Sequence, residues 1–336
     1  MIPCPDFYDP QKVSTVYRVD YAQRSSAAVD YRSRYGIKPA SLDIQKNLLL
    51  LIDVQNTFCI PEFELFVGGI SGRGAVEDNQ RLCDFIYHNL GMISDISVTL
   101  DTHTVMQIFH PLFFIDGFGN HPSPYTDIQL EDVLVGKWKF NPEIADHLGI
   151  RADYGQEILV HYAGSLQKSG RFALTVWPYH AMLGGIGHAL VSSVEEAVFF
   201  HSIVRLSQPH FEIKGDRPFT ENYSVIGPEV LNGPQGETLG LRNPYFIERL
   251  KKVDKLIIAG QAKSHCVSWT ISDLMYDINL TDASLIDKVY LLEDCSSPVV
   301  VTGLVDHSLA ADAAYKRFAA AGMHIVRSSD SIEDWN

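Results

Sequence analysis

Leu256-Ile257-Ile258-Ala259-Gly260-Gln261-Ala262-Lys263-Ser264-His265-Cys266-Val267 joins an apolar run to a polar turn and a further apolar pattern. The apolar run Leu256-Ile257-Ile258 reads as a short buried strand. Gly260 punctuates a turn, and Trp269-Thr270-Ile271 through Leu280 reads as a helix. Cys266 is therefore expected at a helix N-terminus, where the positive end of the dipole favours thiolate over thiol. A thiolate is a nucleophile for covalent catalysis. Taken alone, such a cysteine is more often buried and inert.

Other segments shift that balance. Asn47-Leu48-Leu49-Leu50-Leu51-Ile52-Asp53 runs five aliphatic residues straight into a carboxylate. It reads as a parallel strand buried on both faces. In an open α/β sheet, ligands bind at the carboxyl ends of strands. An aspartate there also suits a helix N-cap, and on this segment alone the two readings stand level. Ile96-Ser97-Val98-Thr99-Leu100-Asp101-Thr102-His103 is a second apolar strand with polar residues at its end. Asp101 and His103, two apart on an extended chain, share one side and suit a divalent metal. Trp177-Pro178-Tyr179-His180 adds His180 on a loop bounded by Gly184 and Gly185. Phe211-Glu212-Ile213-Lys214-Gly215 reads as a short alternating strand ending in Lys214, a side chain more often solvated but able to steer a proton once buried.

In this order, Asp53, Asp101 with His103, His180 after Trp-Pro, Lys214 and Cys266 resemble the nicotinamidase and isochorismatase-like family of cysteine hydrolases, over roughly 47–327. The resemblance implies a three-layer α/β/α fold with a central, mostly parallel sheet. It implies Asp53, Lys214 and Cys266 as the catalytic set, and a cis peptide between Gln261 and Ala262 beside the oxyanion site. It also implies a divalent metal on Asp101, His103 and His180, zinc first, with manganese or iron as alternatives. Phe58, Trp177 and His265 would line the substrate pocket. The implied reaction is hydrolysis of a small carboxamide, nicotinamide or similar, through a thioester. The alternatives are another small amide, ureide or vinyl ether as substrate, or a relative that binds a metabolite without turnover.

The chain departs from the family pattern in places. Gln107 stands where a further histidine is usual, with His110 the nearest histidine, and Lys263-Ser264 replace Thr-Asp. The stretch between His103 and Trp177 is long. Loops carry specificity, so these departures bear on the substrate more than on the chemistry.

Composition bounds the rest. The 336 residues carry a formal charge of −14, which argues against nucleic acid, since phosphate binding needs clustered Lys and Arg. No apolar run reaches transmembrane length, and Met1-Ile2-Pro3-Cys4-Pro5-Asp6 does not resemble a signal peptide. Five scattered cysteines do not form a disulfide framework, so a reducing, cytoplasmic setting is expected. Strands are predicted at 47–53, 95–101, 156–161, 254–259, 288–293 and 323–327. Helices are predicted at 74–91, 187–206, 243–252, 266–278 and 303–321. That alternation reads as a parallel sheet with helices on both faces. Residues 1–45 read as an extension, and 46–330 as one hydrolase domain with long loops at 104–155 and 216–242. Phe109, Phe113, Phe114, Phe118, Tyr125 and Trp138 are too apolar for a solvated loop. They are expected either to pack on the extension or a second copy in a homo-oligomer, or to wall the pocket.

Overall fold

The computed structural model describes residues 2–335. Its central sheet has six strands: β1 (Asn47–Ile52), β2 (Ile93–Asp101), β3 (His210–Lys214), β4 (Lys255–Gly260), β5 (Val289–Leu292) and β6 (His324–Val326). The order across the sheet is β6-β5-β4-β1-β2-β3. The pairs β1–β2, β1–β4, β4–β5 and β5–β6 are all parallel. The longer helices are α1 (Tyr21–Tyr35), α2 (Gly74–His88), α3 (Ala152–Ser169), α4 (Ser192–Arg205), α5 (Ser268–Thr281) and α6 (Ser308–Ala320). Among the described residues no helix is long and apolar enough to cross a membrane.

The described chain divides into two compact units. One comprises Met1–Leu100, Ala189–Glu212 and Pro244–Asn336; the other comprises Asp101–His188 and Ile213–Asn243. The first holds the core. All six residues of β1 and all six of β4 are buried, as the aliphatic runs Leu48–Ile52 and Leu256–Ala259 demand. Leu49, Leu51, Ile257, Ala259, Tyr290 and Leu292 alternate onto one face. There they meet Leu82, Phe85 and Ile86 of α2, and Val194, Ala197 and Phe200 of α4. Residues 1–45 belong to this core: Ala28 and Tyr31 of α1 pack into it, and Arg24 pairs with Glu196 of α4 at 2.6 Å.

Several predicted elements shift. Residues 156–161, predicted as a strand, lie inside the 18-residue helix α3. The triplet Ile158-Leu159-Val160 looks extended by itself, but Ile158, Leu159, Tyr162, Ala163 and Leu166 are buried at helical spacing. Gly170, at φ +67, ends that helix. The predicted helices at 187–206 and 303–321 begin later, at Ser192 and Ser308. The one at 243–252 contracts to Tyr245–Leu250. Phe211–Lys214, read as an alternating strand, is part of the sheet's outer strand β3.

The second unit contains the two segments read as long loops. Phe109, Phe113 and Phe114 are fully buried in it. Phe113 lies edge-on to Phe140 and Phe219, with centroids at 5.1 and 6.4 Å. Phe118 is the correction, being 93% exposed. It rides a turn in which Asp116 accepts from the amides of Phe118 and Asn120, and that turn leaves its ring nothing to pack on.

β1 and β4 meet so closely that one glycine is obligatory. Gly260 sits opposite Ile52 at φ +123, and a Cβ there would lie 2.1 Å from the Ile52 carbonyl oxygen. Gly260→Ala is expected to destabilise the fold by more than about 3 kcal/mol, combining backbone strain with a clash against main chain. Denaturant unfolding measures this, and a cost below about 1 kcal/mol would mean the strands can part.

Candidate active site and metal centre

In the first unit, a carboxylate and a thiol leave the same end of two paired strands. Asp53 follows β1 directly, is fully buried, and sits at φ +48. Its amide donates to Thr99 Oγ1 at 3.0 Å, and that hydroxyl donates to Asp53 Oδ1 at 2.5 Å. It is not a helix cap, since the short helix Asn56–Cys59 takes Gln55 at its N-cap. The helix-cap reading is thereby removed.

On the neighbouring strand, Gln261 donates its amide to the Ile52 carbonyl at 2.8 Å, and the Gln261–Ala262 peptide is cis. Cys266 lies in a single π-helical turn, Lys263–Val267, with the α-helix beginning only at Ser268. The sequence placed Cys266 at the start of the α-helix. The wider turn arises because the Val267 amide reaches back five residues to the Ala262 carbonyl at 3.2 Å. Cys266 is 7% exposed. Phe58 and His265 are buried in the same unit. Burial, then His307, pushes His265 down to about 3, so it is a neutral ring that contacts Ser264 Oγ at 2.8 Å. Lys263, which stands where the resemblance has threonine, pairs with Asp312 at 3.1 Å.

The second unit collects the expected metal ligands. Asp101, His103 and His180 are all buried, and their ligand atoms lie within 4.8 Å of one another. Asp101 divides its oxygens. Oδ2 faces His103 Nε2 at 2.9 Å and His180 Nε2 at 3.7 Å, while Oδ1 accepts from Lys214 Nζ at 2.9 Å. Lys214 also donates to the Asn222 carbonyl at 2.9 Å. Burial pushes the Asp101 carboxyl up, but His103 and Lys214 together outweigh it and hold it well below the ordinary carboxylate range.

The histidine tautomers test the fit to a metal. His103 Nδ1 lies 3.0 Å from the Gly215 carbonyl and His180 Nδ1 lies 2.8 Å from the Pro178 carbonyl. A carbonyl can only accept, so Nδ1 carries the proton in both rings. Both rings turn Nε2 toward the same carboxylate oxygen. Burial pushes His103 down, but without a cation Asp101 outweighs it and raises the pKa, so that Nε2 holds a proton toward Oδ2; a bound cation would take that proton's place. A shared cation resolves that convergence, and backbone-anchored Nδ1–H is the usual support for an imidazole ligand. Two imidazoles and one carboxylate suit zinc, manganese or iron.

The departures noted in the sequence acquire roles here. Gln107 Nε2 donates to the carbonyls of Gly215 and Arg217 at 2.6 and 3.0 Å, and its Oε1 accepts from Thr104 N at 2.9 Å. It braces the ligand loop. The His110 ring lies 5.9 and 6.1 Å from those of His103 and His180. Burial, then His180 and His103, pushes it down to about 3. Phe109 stands edge-on to His103 at 4.7 Å. Trp177 is buried, its indole N–H donating to Tyr223 Oη at 3.0 Å. The sequence reading missed Glu221, a 5% exposed carboxylate that burial pushes up. Its only signal in the sequence is an acid beside Asn222, whose carbonyl holds Lys214.

No protein-family model matches the sequence, and no curated protein matches it either. Solved structures do match. Yeast nicotinamidase Pnc1p bound to the inhibitor nicotinaldehyde aligns with a TM-score of 0.50 and 18% identity, over 84% of this chain and 99% of that one. A nicotinamidase pyrazinamidease from Acinetobacter baumanii aligns at 0.49 and 17% identity, over 86% of this chain and 99% of that one. The yeast match establishes a shared α/β fold, a central parallel sheet with flanking helices.

Gly215 packs where any side chain would strike the ligands. Its φ is +82, and a Cβ would lie 2.8 Å from both Asp101 Oδ1 and His103 Cε1. Gly215→Ala is therefore expected to lower metal affinity by about tenfold or more, the scale of losses from disturbed ligand support, with every ligand still present. Titration of chelator-stripped protein with zinc measures it. Unchanged affinity would show that the trio does not bind the ion.

Proposed function

We propose that this chain is a cysteine-dependent amidohydrolase of the nicotinamidase type, hydrolysing a small carboxamide to the acid and ammonia through a thioester. One observation carries the reading. A buried carboxylate, Asp53, and a buried thiol, Cys266, leave the same end of adjacent strands, with Ile52 opposite Gly260. That pairing supplies a base and a nucleophile on rigid elements.

In this mechanism Asp53 takes the thiol proton of Cys266. The sulfur attacks the carboxamide carbon, forming a C–S bond and an oxyanion. Backbone N–H groups near Ala262 and Cys266 stabilise the oxyanion. Collapse breaks the C–N bond, and the proton held by Asp53 passes to the leaving nitrogen, which departs as ammonia. Water then gives a proton to Asp53 and its oxygen to the thioester carbon. The acid leaves and the thiol is restored. Lys214 completes the catalytic set as the fixed ammonium that holds Asp101 and the Asn222 carbonyl. A divalent ion on Asp101, His103 and His180, zinc first, would supply a Lewis-acid anchor for a pyridine nitrogen or similar substrate atom. A cytoplasmic homo-oligomer whose hydrolase domain spans 46–330 belongs to the same reading.

A second substrate is favoured by one observation. Phe109, from a segment much longer than the resemblance calls for, stands edge-on to the ligand His103. Under this variant the same chemistry acts on another small amide or ureide. Nicotinamide hydrolysis with kcat/KM at or above about 10⁴ M⁻¹s⁻¹ would favour the nicotinamidase reading, and far slower hydrolysis the variant.

The decisive experiment is ammonia release from a panel of carboxamides, nicotinamide first. Cys266→Ala is expected to abolish turnover in a protein that still folds, and Asp53→Asn to cost on the order of a thousandfold or more. Substantial turnover by Cys266→Ala would sink the covalent mechanism.

A further inference from the structure

Helix α2 carries an acid where its pattern calls for an apolar residue. Ala75, Val76, Leu82, Cys83, Phe85 and Ile86 form its buried stripe. Asp78 falls on that stripe and is only 2% exposed. A carboxylate on a core-facing stripe is costly to bury and persists only where its oxygens are satisfied. Here one oxygen accepts from Arg81 Nη2 at 2.8 Å and the other from Gln261 Nε2 at 2.8 Å. Gln261 is fully buried and is the first residue of the turn that leads to Cys266.

The same turn is tied at further points. The Ser297 amide approaches Gln261 Oε1 at 3.4 Å, and the Lys263 amide donates to the Ser297 carbonyl at 2.8 Å. Ser264 Oγ accepts from the Val299 amide at 3.0 Å. Ser297 in turn fits against α2 only because position 74 lacks a side chain. A Cβ on Gly74 would lie 2.6 Å from Ser297 Oγ. Asp78, Gly74, Ser297 and Gln261 thus form a clamp, all within one compact unit. The proposed chemistry uses other atoms of this turn and leaves the Gln261 side chain without a task. Its Nε2 is bound instead to Asp78 on α2.

We infer that Asp78 is a positioning residue for the nucleophile turn, acting through the side chain of Gln261 to hold Cys266 and its neighbouring amides in place. The inference rests on the proposed thioester chemistry for its catalytic consequence, though not for the clamp itself. Burial pushes the Asp78 carboxyl up to about 6, against hydrogen bonds from Gln261, Ser297 and Arg81. The acceptor is therefore largely ionised at neutral pH, and charge-assisted bonds are the stronger ones. Oxyanion stabilisation acts mainly in the transition state, so a loosened turn lowers kcat and leaves KM nearly unchanged.

The test uses the full-length chain with three substitutions. Asp78→Ala removes the acceptor. Asp78→Asn keeps one oxygen for Gln261. Gly74→Ala displaces Ser297, and with it one donor to the carboxylate, from the opposite side while leaving Asp78 itself in place. Two readouts are taken: ammonia release from the best carboxamide, and iodoacetamide alkylation of each cysteine followed by peptide mass spectrometry. Cys59 and Cys83, both fully buried, report global unfolding.

For Asp78→Ala we expect kcat to fall on the order of a hundredfold, the scale of a small misplacement of catalytic groups, with KM within about twofold. Cys266 should alkylate several times faster as the turn loosens, while Cys59 and Cys83 stay protected. Gly74→Ala should move both readouts in the same directions, and Asp78→Asn should recover most of the activity. Alkylation of Cys266 unchanged in both Asp78→Ala and Gly74→Ala overturns the inference. So does a rise shared equally by Cys59 and Cys83, which would mark a merely structural role. If the wild-type chain releases no ammonia from any amide, the functional reading falls. The alkylation arm then still decides whether the clamp positions Cys266.

Discussion

Everything in the first unit hangs on the close pairing of β1 with β4. All six residues on each strand, aliphatic or small apart from the leading Asn47 and Lys255, are buried and run in parallel without a slip. Parallel pairing sends both strands out of the sheet at the same end. The residues that follow, Asp53 on one and the turn to Cys266 on the other, therefore start side by side. The glycine opposite Ile52 lets the backbones approach. Core packing thus brings a buried carboxylate and the turn that carries a buried thiol to the same end of the sheet.

The second unit depends on a single carboxylate in a comparable way. Asp101 has two oxygens and three cationic or imidazole neighbours. It gives Oδ1 to the ammonium of Lys214 and Oδ2 to the two imidazoles. Backbone carbonyls fix both rings with Nδ1 protonated, so that both Nε2 atoms point at Oδ2. Lysine and a metal would therefore compete for the charge of one residue, a direct Coulombic link between the ion and the proposed catalytic lysine. Gly215 and Gln107 shape the wall around this arrangement, one by having no side chain and the other by bridging two carbonyls.

Polar groups buried in apolar surroundings mark the places where packing serves something other than stability. Asp78 on the core stripe of α2 is one, and Glu221 beside Asn222 is another. Each costs free energy to bury and is held by specific donors. Asp78 bonds Gln261 directly, and Glu221 reaches Lys214 in two bonds by way of Asn222.

Much of this was legible in the sequence. Runs such as Leu48–Ile52 and Leu256–Ile258 can be satisfied only by strands buried on both faces, so the parallel sheet follows from composition and periodicity. The spacing of two between Asp101 and His103 puts both on one side of an extended chain, and their contact follows from strand geometry. Local patterns misled where a short apolar run fits either period. Ile158-Leu159-Val160 is one such run, and only the longer spacing to Leu166 reveals the helix. Three features were decided by tertiary structure alone. Whether Asp53 caps a helix depends on where the next helix starts. Which oxygen of Asp101 faces lysine depends on β3 ending beside β2. That Asp78 meets Gln261 depends on α2 packing against β4, 183 residues away in the chain. A sequence shows periods and residue types, but the partner of a buried polar group is chosen by whichever distant segment packing brings within hydrogen-bond reach.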